Sequence, residues 1–165
     1  FFFGGRQIIV EGDTEYTAFS MLKEEFPDKY QDVQIIRARG KGIIPSVAKV
    51  LLQFSKSFAI LHDTDSPKTS SGRNNPAWGM NGSIGEILSW ENAANIVSLV
   101  ACKTCFEAAL IDEESRDEKP YNALIRIRTD SVAKGNVKAL LDSLLDRKVS
   151  PPVGCIRWKV IEDLV

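Results

Sequence analysis

Short apolar runs separated by polar, glycine-punctuated stretches set the pattern along the chain. Gln7, Ile8, Ile9 and Val10 form the first run, and a mostly apolar segment of this length bounded by turn residues predicts a buried strand. It stops at Glu11-Gly12-Asp13-Thr14, where Gly12 permits a tight turn and Asp13 or Thr14 can cap a helix. Tyr16, Phe19, Met21, Leu22 and Phe26 then recur at near-helical spacing, and Pro27 is expected to end that helix. Val33-Gln34-Ile35-Ile36 predicts a second strand, followed by a basic loop in which Arg37, Arg39 and Lys41 flank Gly40 and Gly42. Residues 43–54 carry Ile44, Val47, Val50, Leu51 and Phe54 on one side, a second helix with Pro45 in its first turn. Residues 57–61 predict a third strand, which ends at His62-Asp63-Thr64-Asp65.

The second half is less regular. Residues 66–82 are rich in Pro, Ser, Gly and Asn and read as a long loop, with a helix expected over residues 84–94. Residues 95–100 predict a fourth strand running toward Phe106 and Glu107. Residues 111–119 read as a charged loop and residues 121–128 as weakly helical. Residues 132–147 predict a strong helix through Val137, Leu140, Leu141, Leu144 and Leu145; Pro151 and Pro152 then break the chain before a terminal helix over residues 158–165. Strands alternating with helices imply an α/β fold with a mostly parallel central sheet flanked by helices. The expected organisation is a core over residues 1–110 with a helical extension, residues 111–165, packed on it. In such sheets ligands sit at the carboxyl ends of the strands.

Composition narrows the picture. The 44% hydrophobic and 26% charged fractions are those of a globular domain, which excludes a disordered or fibrous chain. No apolar run reaches the length of about 18 residues that a membrane-spanning helix requires. The start, Phe1-Phe2-Phe3-Gly4-Gly5-Arg6, is too short and wrongly ordered for a signal peptide; it lacks an initiator Met and is expected to belong to a longer chain. Three cysteines, Cys102, Cys105 and Cys155, an odd number without a signal peptide, suggest free thiols in a reducing cytoplasm. Cys102 and Cys105 have C-x-x-C spacing, but four-coordinate zinc would need Cys155 and His62 as well; a strand residue and its exit turn is the simpler reading. The net charge of −1 is not in itself a nucleic-acid signature, although acidic residues gathered at one site would mask local basic patches.

The acidic residues carry the candidate chemistry. Glu11 follows the first strand directly, and Glu15 lies four residues on, a spacing that shares a helix face. Asp63 and Asp65 follow the third strand; residues two apart in an extended segment project to one side. Glu107, after the fourth strand, is a possible fifth member. Each carboxylate alone is more simply a cap or a solvated turn residue. Together at strand ends they repel one another unless something cationic neutralises them, and all-oxygen ligands suit Mg²⁺ or Mn²⁺ rather than zinc. Arg37, Arg39 and Lys41 are plausible phosphate contacts for DNA. His62 is expected to point away from the carboxylates, because adjacent strand residues alternate, and Trp78 and Trp90 to cover the core under the long loop rather than stack on a base.

Ile8-Ile9-Val10-Glu11-Gly12 and Ile60-Leu61-His62-Asp63-Thr64-Asp65 resemble the two motifs of the Toprim fold shared by topoisomerases, bacterial primases and several nucleases. Val10-Glu11-Gly12-Asp13-Thr14-Glu15-Tyr16 is similar to the V-E-G-x-T-E segment of the OLD (overcoming lysogenisation defect) family of nucleases, Phe106-Glu107 to its later acidic motif, and Lys134-Gly135 to its lysine-glycine near the start of a late helix. The resemblance implies a Toprim-like Rossmannoid fold and a DNA endonuclease. In that reading Glu11, Glu15, Asp63, Asp65 and Glu107 bind two Mg²⁺ or Mn²⁺ ions. Lys134, with Lys138 as its substitute, would stabilise charge on the transferring phosphate. OLD proteins pair this domain with an N-terminal ATPase. No G-x-x-x-x-G-K-[ST] loop occurs here, so ATP binding and homodimerisation are expected of a preceding region. The rival expectations are a Toprim primase or topoisomerase fragment, and a non-catalytic scaffold that binds DNA or recombination partners.

Overall fold

The computed structural model describes residues 4–54, 56–112 and 117–165. The opening Phe1, Phe2 and Phe3 and residues 113–116 of the expected charged loop lie outside the described residues. The first half runs β1 (Arg6–Val10), α1 (Asp13–Glu25), α2 (Pro27–Tyr30), β2 (Val33–Arg37), a 3₁₀ turn (Lys41–Ile43), α3 (Ile44–Leu52) and β3 (Phe58–Asp63). It continues through α4 (Pro76–Gly85), a 3₁₀ turn (Glu86–Ser89), α5 (Ala93–Ile96), β4 (Val97–Cys102), α6 (Phe106–Leu110), α7 (Lys119–Thr129), α8 (Ser131–Leu145), β5 (Cys155–Trp158) and a last 3₁₀ turn (Ile161–Leu164).

The sheet order is β2-β1-β3-β4-β5. Its first four strands are parallel, and β5 pairs antiparallel with β4, so the expected α/β architecture with a mostly parallel sheet holds. Both faces are covered. Ile8, Val10, Leu61 and Val100 bury one face under α1 and α8, through Phe19, Leu22, Val137, Leu140 and Leu141. Ile9, Ile60 and Leu99 bury the other against Ile44, Ala48, Ile84, Ile87 and Trp158. A strand buried on both sides has no polar face, which is why these strands read as continuous apolar runs rather than alternating ones.

Two expectations are corrected, the helix after the long loop and the terminal segment. The first helix ends at Glu25, before Phe26 and Pro27 as expected, and Pro27 then opens α2 from a first-turn position. The helix after the long loop lies over Pro76–Gly85, not residues 84–94, because Asn75 caps it by accepting from the Ala77 N–H at 3.1 Å and Pro76 opens it. Phe106 and Glu107 follow β4, as expected, and begin α6. The terminal segment is not a helix of residues 158–165. Cys155–Trp158 adds an antiparallel edge strand to the sheet, with only a 3₁₀ turn after it. Gly154 enters this strand at φ 89°, and a Cβ there would meet the Ala109 carbonyl oxygen at 2.7 Å, so the tight entry needs glycine. Among the described residues no helix is long and apolar enough to cross a membrane.

Candidate metal centre

The carboxyl ends of β1, β3 and β4 meet at one rim, and the acidic residues are gathered there. Gly12 is extended at φ −134°, a conformation open to any residue, so the tight-turn reading of it is corrected. What counts is its missing side chain: a Cβ would lie 3.2 Å from Glu15 Oε2, so glycine leaves the space into which that carboxylate folds back. Neither Asp13 nor Thr14 caps α1; Gly12 holds the cap position and no side chain caps it. Thr14 instead donates to Glu107 Oε1 at 3.0 Å, tying the first helix to the fourth strand's exit.

Glu11 Oε2 accepts from the Asp63 N–H at 3.1 Å. Asp63 Oδ1 accepts from the Phe106 N–H at 2.8 Å, which sets Asp63 beside the first turn of α6 and Glu107. Asp65 leaves the extended path at φ 60°; its N–H donates to the Thr104 carbonyl at 3.0 Å and its carboxylate pairs with Lys41. Thr64 holds the same turn, accepting from the Thr104 N–H at 2.8 Å. Charge repulsion from Glu107 raises the proton affinity of Glu11, Glu15 and Asp63; Glu11 adds to it at Glu15 and Asp63, Glu15 at Asp63, and Asp65 at Glu11 and Asp63. The structure thus brings all five sequence candidates to one rim.

Their electrostatics divide them. Burial, then Glu11 and Glu107, push Glu15 up to about 7. Burial, then Glu15, Glu11, Glu107 and Asp65, push Asp63 well above the usual carboxylate range. Burial also raises Glu11, against the opposing pull of the Asp63 N–H and Lys41. Glu107 differs. Burial would raise it, but its own backbone N–H, Lys119, Thr14 and the Cys105 thiol outweigh that, and it lies below its ordinary value. Three central carboxylates, Glu11, Glu15 and Asp63, are therefore ill-matched to their surroundings without a cation, while Asp65 and Glu107 at the flanks each hold a lysine. Among the described residues no three acidic, His or Cys side chains close into a ready-made metal shell. The donor set nevertheless fits a hard divalent ion, since its candidate ligands are all carboxylate oxygens.

Two cationic assignments are corrected. Lys134 Nζ pairs with Glu25 Oε1 at 2.8 Å, at the opposite end of α1 from Glu15, about 15 Å away along the helix axis; Lys138 is drawn to Asp142 at 3.7 Å. The lysine beside Glu107 is Lys119, whose Nζ lies 3.3 Å from Oε2. Its sequence signal was Pro120 in the first turn of a helix, which marks a helix start but says nothing of its position in space. Lys41 is not an exposed phosphate contact either, being buried against Asp65 with 3% side-chain exposure. Arg37 and Arg39 do line an open groove of about 670 Å³, together with Gly12, Thr14 and Lys119. Arg37 is held there by Asp13 at 2.5 Å and by stacking over Tyr16 at 5.2 Å.

His62 is fully buried and points to the other face of the sheet. Trp158 Nε1 donates to its Nε2 at 3.0 Å. Indole is only a donor, so Nε2 is the unprotonated nitrogen and Nδ1–H donates to the Asp63 carbonyl at 2.8 Å. Burial lowers it to about 3, so it is neither a general base nor a free zinc ligand. Trp78 and Trp90 pack on the core. Cys102 and Cys155 sit opposite each other across β4 and β5 with 3.4 Å between sulfurs, and both are free thiols.

Residues 2–65 match the family model described as Overcoming lysogenization defect protein-like, TOPRIM domain. The match covers less than half the chain. It includes Glu11, Glu15, Lys41, Asp63 and Asp65 and stops before Glu107 and Lys119. No curated protein and no solved structure matches the chain significantly.

Proposed function

The chain carries a Toprim domain of OLD-like type, and on that premise we propose that it is a metal-dependent DNA endonuclease acting at the rim of strand ends. The observation that carries this reading is the gathering of Glu11, Glu15 and Asp63 at one rim of strand ends, Glu15 buried and the other two half-buried, each with its proton affinity raised by desolvation and by its neighbours. Such a cluster is tolerable when a hard cation compensates it. Mg²⁺ or Mn²⁺ held there supplies Lewis acidity at a phosphodiester oxygen and neutralises its developing charge.

The chain's own residues do the rest. Glu11, Glu15 and Asp63 hold the ion, and Asp65 and Glu107 complete the negative ring. The Asp63 N–H fixes the Glu11 carboxylate and Thr14 fixes Glu107, so the ligands are oriented before substrate arrives. Arg37 and Arg39 line the groove that leads to the rim and suit the phosphate backbone, which positions a strand without reading its sequence. Lys119 stands between that groove and Glu107 and takes the part first expected of Lys134: its ammonium meets the charge that gathers on the phosphate during displacement.

The test is nicking of supercoiled plasmid with Mg²⁺, Mn²⁺, Ca²⁺ or chelator in parallel. Cleavage is expected with Mg²⁺ or Mn²⁺, none with chelator, and a loss of at least about 100-fold in Asp63→Ala and Glu11→Ala, the scale seen when preorganised electrostatic groups are removed. Full activity in Asp63→Ala would sink the proposal. Primer synthesis instead of cleavage would favour a primase, and DNA binding without metal-coupled cleavage a scaffold.

A further inference from the structure

Lys41 is a buried cation paired with one carboxylate of the rim. Its side chain is 3% exposed, an unusual state for a lysine, because removing an ammonium from water is costly unless a fixed negative partner answers it. The partners come from three separate parts of the fold. The 3₁₀ turn of Lys41–Ile43, entered from Gly40 at φ 122°, supplies the amine. Asp65 supplies the carboxylate, its backbone locked by the bridge to Thr104. The first turn of α4 supplies the Ala77 carbonyl oxygen, 3.3 Å from Nζ.

One turn along α4, on the face that Ala77 occupies, Asn81 is fully buried. It donates to the Thr64 carbonyl at 2.8 Å, between the two aspartates, while its Oδ1 has no hydrogen-bond partner among the described residues. An ammonium held by two oxygens, next to a helix turn that carries a buried acceptor left over, points to a corner of the rim organised around positive charge. The charge also reaches the centre, since Lys41 pulls against the burial of Glu11.

We infer that Lys41 permanently fills the place of a second cation, so that the rim takes one divalent ion per chain, held by Glu11, Glu15 and Asp63. This rests on the reading of the rim as a metal centre. With Asp65 committed to Lys41 and Glu107 to Lys119, three carboxylates remain. A small hard ion that keeps several waters and uses few carboxylates is satisfied by that set. A second divalent ion near Asp65 would face a buried ammonium already paired with that carboxylate. The fixed charge has a consequence for metal dependence: occupancy follows a single-site curve rather than the steeper curve of two ions that must bind together.

The test is calorimetric titration of metal-stripped chain with Mn²⁺, alongside Lys41→Gln, with circular dichroism to establish that the variant is folded. One tight Mn²⁺ per wild-type chain and two per Lys41→Gln chain is the expected result. Two tight ions per wild-type chain would overturn the inference and leave the metal-centre reading standing, as would a folded Lys41→Gln that still binds one. No binding by the wild type would overturn both. Should Lys41→Gln fail to fold, the wild-type count alone decides, because two ions and a buried lysine cannot share the rim.

Discussion

Replacing Glu15 with glutamine should make the metal-free protein more stable, and the gain should depend on pH. Glu15 is 4% exposed, and burial followed by repulsion from Glu11 and Glu107 moves it from its ordinary 4.5 to about 7. A carboxyl whose folded value is raised binds more protons in the folded than in the unfolded state between those two values. Its favourable contribution is therefore complete below about 4.5, is lost as pH rises to about 7, and stays lost above. At 1.36 kcal/mol per unit, keeping Glu15 ionised in the fold at pH 8 costs roughly 3 kcal/mol, against less than about 1 kcal/mol at pH 5. The amide removes that cost while keeping shape and one acceptor oxygen. For a domain of 165 residues, roughly 2–4 °C accompanies each kcal/mol. Glu15→Gln should thus melt on the order of 6–12 °C above wild type at pH 8 in chelator, and within about 3 °C of it at pH 5. Excess Mn²⁺ should narrow or invert the order, because ligand at about 100 times its Kd adds roughly 2.7 kcal/mol to a protein that binds it and little to one that has lost a ligand. Thermal unfolding followed by circular dichroism, at both pH values with and without Mn²⁺, makes the comparison. A variant that melts at or below wild type at pH 8, or that gains equally at both pH values, would refute the reasoning.

Two further predictions follow from the rim and its surroundings. Lys119→Met should lower kcat for cleavage by about 100-fold with KM little changed, since a charge that acts in the transition state is lost; Lys134→Met should leave both unchanged and cost no more than about 1 kcal/mol of stability, as its pair with Glu25 is a surface one. Equal losses in both variants would return the role to the late helix. His62, the chain's one histidine, should show no imidazole titration by NMR between pH 5 and 8, because burial holds it near 3; a midpoint in that interval would contradict its hydrogen bond from Trp158.

How much of this was legible in the sequence depends on distance along the chain. β1 to β4 were readable because strands buried on both faces leave apolar runs, and the acidic residues that end β1 and β3 stand where ligands collect. Glu11 and Glu15 both reach the rim although Gly12 between them is extended, so their helical spacing alone did not place them there. The pairings that decide the chemistry were not readable, because they join residues that no periodicity relates. Lys41 looked like a surface loop residue until Asp65 and α4 closed over it. Lys134 was carried over from a family likeness, whereas the packing of α8 on α1 takes its amine to Glu25. β5 was missed because a four-residue strand containing Cys155 and Arg157 has little apolar signal. It exists through pairing with β4, with Arg157 donating to the Ser143 carbonyl at 2.6 Å. α4 was missed for a different reason: Gly79, Gly82 and Gly85 disfavour a helix, and Asn75 with Pro76 at its start outweighed them only with Ile84 buried.

The most direct measurement is the anomalous difference density of crystals soaked in Mn²⁺ after chelator treatment. The account predicts a peak at the strand-end rim, about 2 Å from carboxylate oxygens of Glu11, Glu15 or Asp63, that disappears in Asp63→Asn. Mn²⁺ bound only elsewhere on the molecule, or a rim peak that survives that substitution unchanged, would contradict it.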